Sequence, residues 1–133
     1  MRNIQATSVF RWFQEVWNKG NRNSIDELLS HDVIAHGLGP TGQTNGIEEF
    51  KKFYDDFRNQ LRDVHVVVED VVSQDDMETA FCSVTAVDIA SGKQVNFTGI
   101  CMAKIKDGKI IEAWNQYDFL KMYQQIGYTL AIQ

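Results

Sequence analysis

The chain has 133 residues, of which 44% are hydrophobic and 23% charged, and its net charge is −5. This length and composition predict one globular domain over residues 1–133, with enough core to fold without disulfides. An acidic chain without a basic stripe lacks the charge that phosphate backbones attract, so nucleic acid is not expected as a partner. The apolar runs are shorter than a membrane span, and the first ten residues lack the continuous apolar segment of a signal peptide.

The first quarter of the chain has helical periodicity. A first helix is predicted from about Ile4 to Lys19, because its apolar residues recur on one face, and Gly20 supplies the left-handed stop. A second helix opens at Ser24, where Ser24 and Glu27 make a Ser-x-x-Glu capping box.

A loop and the clearest helix follow. Residues 33–36 are predicted as a short strand, and residues 37–46 as a loop, because they hold four glycines and the only proline. Asn45 and Glu48 are expected to cap a third helix. Its apolar stripe runs from Ile47 to Leu61, with charged residues on the opposite face, which is typical of an amphipathic helix.

From Val64 onward the hydrophobic period changes to two, which predicts strands. Asp107-Gly108 is a strong hairpin signal, because a type I′ turn needs positive φ at both central positions. The predicted elements are strands from Val64, over 78–89, 95–105 and 109–117, and a short last helix from about Phe119 to Ile126. Helices followed by strands indicate an α+β fold with an antiparallel sheet.

Several short motifs follow one another in an order typical of one family. They are Glu15-Val-Trp-Asn-Lys-Gly-Asn, Asp32-Val-Ile-Ala-His36, Gly39-Pro40-Thr41-Gly42, Asp107-Gly-Lys-Ile-Ile-Glu-Ala-Trp114, Asp118 and Gln125-Ile-Gly127. Through them the chain resembles the SnoaL-like polyketide cyclases of the NTF2-like superfamily. The resemblance covers nearly the whole chain, and the order of the motifs carries it.

This resemblance implies a fold and an activity. The fold is a cone-shaped, cystatin-like barrel, with a curved mixed or antiparallel sheet packed on three N-terminal helices and a short C-terminal helix. Its deep apolar pocket would take a small hydrophobic molecule, and the sheet would form a homodimer. Family cyclases close a ring by intramolecular aldol condensation, without metal or organic cofactor. An Asp at the end of the last long strand acts as acid and base, and this position maps to Asp118.

The chemistry of such a site sets a second expectation. Proton abstraction next to a carbonyl needs a base whose pKa is raised by an apolar cavity, and a donor for the enolate. Asp118 is expected on the same strand face as Trp114 and Gln116, although a single bulge would invert this face. The candidate catalytic residues are Asp118 and His36, and the candidate substrate-binding residues are Trp114, Gln116, Tyr54, Trp12, Phe13 and Trp17.

Each candidate also has a structural alternative. Asp118 precedes a helix and is at least as well suited to cap it, and a capping carboxylate is a poor base. His36 fits a bond to a loop carbonyl as well as a place at the pocket mouth. Core packing is the more common role for Trp114 and Trp17, and Tyr54 is equally suited to the core and to the pocket.

The potential metal ligands do not cluster in the sequence. His31, His36 and His65 lie on separate predicted elements, and Cys82 and Cys101 have no metal or redox spacing, so no metal is expected. The two cysteines are expected to be core thiols in a reducing cytoplasm.

The chain departs from the family in one respect. Family cyclases commonly pair the Asp with a His on a neighbouring strand, but residues 67–133 contain no His. Three functions therefore stay open: a cofactor-free lyase or isomerase acting on an apolar carbonyl compound, a ligand-binding module, and a dimerisation domain.

Overall fold

The computed structural model describes residues 3–132. Helices fill the N-terminal part of the chain, and long strands form most of the rest. After a 3-10 turn (Ile4–Ala6), the elements are α1 (Ser8–Trp12), a π-helical segment (Phe13–Asn18), α2 (Ser24–Leu28), β1 (Leu29–His36), β2 (Gln43–Asn45), α3 (Ile47–Gln60), β3 (Leu61–Gln74), β4 (Met77–Asp88), β5 (Gln94–Lys106), β6 (Lys109–Tyr117) and α4 (Phe119–Gln125). This order confirms the predicted α+β class.

The strands form one curved, mixed sheet in the order β2-β1-β6-β5-β4-β3. β1 runs parallel to β6, and every other neighbouring pair is antiparallel. The hydrophobic core lies between the helices and the concave face of this sheet. In the described part of the chain, no helix is long and apolar enough to cross a membrane.

Two predicted helix caps are wrong. Ser24 lies inside α2 and is buried, while Asn23 stands at the cap position without a side-chain bond. α3 begins after Gly46, whose φ of +84° turns the chain, and the Asn45 amide donates instead to Glu49 Oε1 at 2.9 Å. Capping boxes are local patterns, and here the backbone enters each helix differently.

Two strands are longer than predicted, because pairing with neighbouring strands extends them. β1 begins at Leu29 rather than Val33, and β3 begins at Leu61 rather than Val64. The predicted loop 37–46 contains the short strand β2, which pairs with β1. By contrast the hairpin turn after β5 is confirmed, because φ is +52° at Asp107 and +76° at Gly108.

The π-helical segment is fixed to the sheet by its last residue. Asn18 Nδ2 donates to the Val66 carbonyl at 2.8 Å, and the Val66 amide donates to Asn18 Oδ1 at 2.6 Å. Such segments frequently occur at functional sites. Here it carries Phe13 and Trp17 onto the wall of a cavity.

Candidate functional site

An apolar cavity of about 70 Å³ lies between the helices and the concave face of the sheet. Its aromatic walls come from both layers and include Trp12, Phe13, Trp17, Phe50, Phe97 and Phe119. Within residues 3–132, none of the side chains that line it is Asp, Glu, His, Lys or Arg. The cavity is therefore a place for an apolar group.

Two polar side chains of β6 interrupt this apolar lining. Asn115 is buried, and its Nδ2 donates to the carbonyl of His36 at 3.1 Å. Tyr117 lines the cavity, and its hydroxyl has no hydrogen-bond partner among the described residues. An unpaired hydroxyl in an apolar site is costly unless a ligand pairs with it.

The Tyr117 ring is held in place by its neighbours. It packs against Phe97 and Phe119, and it covers Gly99, its partner residue on β5. A Cβ at position 99 would overlap the ring. Burial, with a smaller effect of nearby Cys101, raises the pKa of Tyr117 well above its usual value, so the phenol stays protonated and can donate.

A bulge decides which side chains of β6 face the cavity. Lys104 pairs with Glu112, but the next residue of β5, Ile105, pairs with Ile110, so Ile111 is an extra residue in β6. Beyond this point the alternation is shifted by one, and Ala113, Asn115 and Tyr117 line the cavity. The prediction that Trp114, Gln116 and Asp118 face the pocket is wrong for this reason.

Asp118 lies at the N-terminus of α4 and is exposed. Its Oδ1 accepts a hydrogen bond of 3.0 Å from the Lys121 amide, which is the N-cap arrangement. Gln116 is exposed on the outer face of the sheet. Asp118 therefore occupies the helix-cap position that the sequence offered as the alternative to a catalytic role.

His36 also lies on the outer face of the sheet. Its Nε2 is 2.7 Å from Glu112 Oε2, and its ring stacks on Trp114 with 5.4 Å between centroids. The sheet separates this pair from the cavity, because the residues of β1 that line it are Leu29, Val33 and Ala35. His36 touches the site only through its carbonyl, which orients Asn115.

The predicted substrate-binding residues divide into two groups. Trp12, Phe13 and Trp17 lie on the cavity wall, and their contact with a substrate stays a prediction. Tyr54 does not line the cavity. Its hydroxyl donates to the Val16 carbonyl at 2.8 Å, which joins α3 to the π-helical segment. Burial raises the pKa of Tyr54 above its usual value.

Sequence reasoning missed the two polar groups of the cavity and five of its six phenylalanines. Phe53 and Phe57 were part of the apolar stripe of α3, a signal that indicated burial but not a pocket wall. Asn115 and Tyr117 lay on the face of β6 that was expected to point outward. Only the bulge at Ile111 reverses this assignment.

The two cysteines face the same apolar interior. Cys82 and Cys101 are both buried and free, and Cys101 lines the cavity. Burial raises the pKa of each thiol from 9.0 to about 12, so both stay neutral and are poor nucleophiles. In the described part of the chain, no three His, Cys, Asp or Glu side chains are grouped to hold a metal.

These thiols predict a loss of stability at alkaline pH. Above the ordinary thiol pKa of 9.0 the unfolded chain releases protons that the folded chain keeps up to about 12. Stability therefore falls as pH rises through this window, by up to about 1.4 kcal/mol per pH unit for each thiol. Urea unfolding at pH 8 and 10 measures the loss, and Cys101→Ala should reduce it. Equal stability of the wild-type chain at both values would contradict the burial of the thiols.

The chain matches a known protein family. The model of the SnoaL-like polyketide cyclases matches residues 7–126. Comparison with curated proteins gives no match.

Solved structures share the fold. A candidate polyketide cyclase from Bacillus cereus ATCC 10987 is 30% identical, with a TM-score of 0.79 over 90% of this chain and 78% of that one. A candidate SnoaL-like polyketide cyclase from Jannaschia sp. CCS1 is 22% identical, with a TM-score of 0.81 over 92% and 91% of the two chains. A Catenulispora acidiphila DSM 44928 protein with a ketosteroid isomerase-like fold, solved with trimethylamine, is 15% identical, with a TM-score of 0.82 over 93% and 95%. The architecture is therefore the NTF2-like, ketosteroid isomerase-like fold.

Proposed function

The chain belongs to the SnoaL-like polyketide cyclase family, and on this premise we propose that its cavity binds the carbonyl end of a small apolar compound. The carbonyl oxygen accepts a hydrogen bond from the Tyr117 hydroxyl. The observation that carries the proposal is this one protonated phenol, unpaired within residues 3–132, in an otherwise apolar cavity.

The energetics favour a carbonyl ligand over a hydrocarbon. A donor that loses water without gaining a partner costs about 1–3 kcal/mol, and a ligand carbonyl that accepts from the Tyr117 hydroxyl avoids this cost. A neutral carbonyl oxygen also loses less hydration than a carboxylate on entering an apolar cavity. Asn115 presents a second polar group two residues before Tyr117 on the same strand face.

The same geometry supports one half of an enolisation. A donor at the carbonyl oxygen stabilises a developing enolate, as in the family's condensation. The other half needs a base, and no carboxylate or histidine lines the cavity within the described residues. We therefore propose ligand binding with carbonyl polarisation as the function, and acid–base catalysis by Asp118 remains a separate prediction.

The binding proposal is tested with a pair of ligands and a pair of proteins. Acetophenone is expected to bind about tenfold more tightly than ethylbenzene, which has the same ring and no carbonyl. In Tyr117→Phe this preference should disappear, while the affinity for ethylbenzene stays the same. Tryptophan emission follows the titration, because Trp12 and Trp17 line the cavity. A preference that survives in Tyr117→Phe would show that the phenol is not the donor.

A matched pair of substitutions locates the binding. Ala113 lines the cavity, and leucine adds three carbons there, so Ala113→Leu should weaken acetophenone binding at least tenfold. Gln116→Leu makes a similar change on the outer face of the same strand and should leave binding unchanged. Equal effects of the two would place the ligand elsewhere.

The role of Asp118 is tested by separating cap from base. Asp118→Asn keeps an N-cap, because Asn caps as well as Asp, but removes the carboxylate. Asp118→Ala removes both and should cost about 1 kcal/mol of stability. We expect wild-type acetophenone binding in both variants. Exchange of the acetophenone methyl protons in D2O gives the decisive measurement. Exchange that the wild-type protein accelerates and Asp118→Asn does not would establish the base and contradict a pure binding function.

The assembly and location of the protein are further proposals. The outer face of the sheet exposes Phe81 and Ile100, which pair across β4 and β5. We propose that this face forms a homodimer, which sedimentation equilibrium tests directly. Cytoplasmic residence rests on the two free thiols.

A further inference from the structure

A larger open groove lies beside the cavity, between the loop after β1, α3 and α4. Its volume is about 500 Å³. Its polar lining comes from β2 and α3 and includes Gln43, Thr44, Glu49, Lys52, Asp56 and Gln60. The function proposed above does not use this groove.

Three phenylalanines separate the groove from the cavity. Phe53, Phe57 and Phe119 line both spaces. Their rings lie next to one another in a row, with 5.7 Å between the centroids of Phe53 and Phe57 and 6.3 Å between those of Phe57 and Phe119. Side chains therefore contribute to the partition, and side chains can change rotamer without breaking backbone hydrogen bonds.

The two volumes assign different tasks to the two spaces. An apolar cavity of about 150 Å³ can hold a whole benzene ring, and ligand pockets usually measure about 300–1,000 Å³. The inner cavity, at about 70 Å³, holds only the end of a ligand, whereas the groove, at about 500 Å³, has the size of a ligand site.

The groove is suited to an uncharged polar group. Its one lysine, Lys52, is paired with Asp56 at 2.9 Å, and Glu49 adds a second carboxylate, so an anion would meet net negative charge. Amides and hydroxyls supply the remaining polar lining. Thr44 is buried, and its Oγ1 has no hydrogen-bond partner among residues 3–132. This hydroxyl has almost no accessible surface, so it does not offer a hydrogen bond to a ligand in the groove.

From these observations we propose that the groove and the cavity are two halves of one site for an amphiphilic ligand. The apolar carbonyl end passes the partition of Phe53, Phe57 and Phe119 and meets Tyr117. An uncharged, hydroxyl-rich portion, such as a sugar attached to an aromatic ketone, lies in the groove. This inference rests on the proposed function, and it adds the class of ligand.

Three ligands with the same ketone test the groove. They are 4-hydroxyacetophenone, its β-D-glucoside and its sulfate, titrated by calorimetry. The glucoside is expected to bind about tenfold more tightly than 4-hydroxyacetophenone, and the sulfate no more tightly than 4-hydroxyacetophenone. Ala113→Leu should weaken the binding of all three. A glucoside that keeps its affinity in Ala113→Leu would occupy a separate site and would overturn the inference.

Charge reversal provides the matched control. Asp56 is exposed, so Asp56→Lys should fold normally, and it should improve sulfate binding about tenfold relative to the glucoside. Asp32→Lys makes the same charge change at an exposed site outside the groove and should not alter this ratio. Lys52→Glu should shift the ratio in the opposite direction.

Two failures are distinguishable. In the first, acetophenone binds through Tyr117, but 4-hydroxyacetophenone, its glucoside and its sulfate bind with equal affinity, or Asp56→Lys and Asp32→Lys change the affinities alike. The groove is then not part of the site, and the proposed function stands. If acetophenone itself does not bind, the proposed function fails, and the amphiphilic ligand fails with it.

Discussion

Replacement of Gly37 by alanine is expected to lower the free energy of unfolding by about 2–5 kcal/mol. Gly37 has a φ of +85°, which costs an L-residue about 1–2 kcal/mol. In addition, its Cβ would overlap the carbonyl oxygen of Asn115, a backbone atom that belongs to β6 and cannot move alone. Overpacking of this kind adds about 1–3 kcal/mol.

Gly42 offers a matched control for this prediction. It has a φ of +82°, and no atom lies within 4 Å of the Cβ it would gain. Gly42→Ala should therefore show the cost of the backbone conformation alone, about 1–2 kcal/mol. Urea unfolding of both variants separates the two contributions. Equal losses would mean that the contact between Gly37 and β6 does not contribute to stability.

Replacement of Gly99 by alanine is expected to displace the Tyr117 ring and to abolish the preference for acetophenone over ethylbenzene. Gly99 has no positive φ, so the new methyl group strains no backbone angle. The methyl group would overlap the Tyr117 ring, so either the ring moves away from the strand face or β5 shifts. We expect this rearrangement to lower the free energy of unfolding by about 1–3 kcal/mol.

A double-mutant cycle tests the origin of this cost. In a Tyr117→Ala background the ring is absent, so Gly99→Ala should be neutral or slightly stabilising, because alanine loses less entropy than glycine in a strand. The coupling free energy should therefore be about 1–3 kcal/mol. Additive effects would show that position 99 resists a side chain for a reason unrelated to Tyr117.

Some elements that depend on neighbouring residues in the chain were predictable from the sequence, although the two capping boxes were not. The stripe of α3 and the Asp107-Gly108 turn are examples, because helix faces and turn angles are set within a few residues. The extent of β1 and the existence of β2 were not predictable, since both depend on hydrogen bonds to strands that lie elsewhere in the sequence.

The polar groups of the site were mispredicted because of one residue. In β6, apolar side chains occupy both strand faces around Ile110 and Ile111, so the sequence does not mark the bulge. The bulge exchanges the faces, which turns Tyr117 inward and leaves Asp118 to cap α4. The family resemblance predicted the cavity and its helical wall, but it did not contain this local geometry.

The parallel pairing of β1 with β6 has a consequence for folding during synthesis. Partners such as His36 and Trp114 are far apart in the sequence, and contacts of this kind form slowly. Until the ribosome has released β6, β1 has only the three-residue strand β2 beside it, and its other edge is unpaired. We expect the nascent chain to be most prone to aggregation over this interval, so an interrupted translation product should depend on chaperones more than the finished protein.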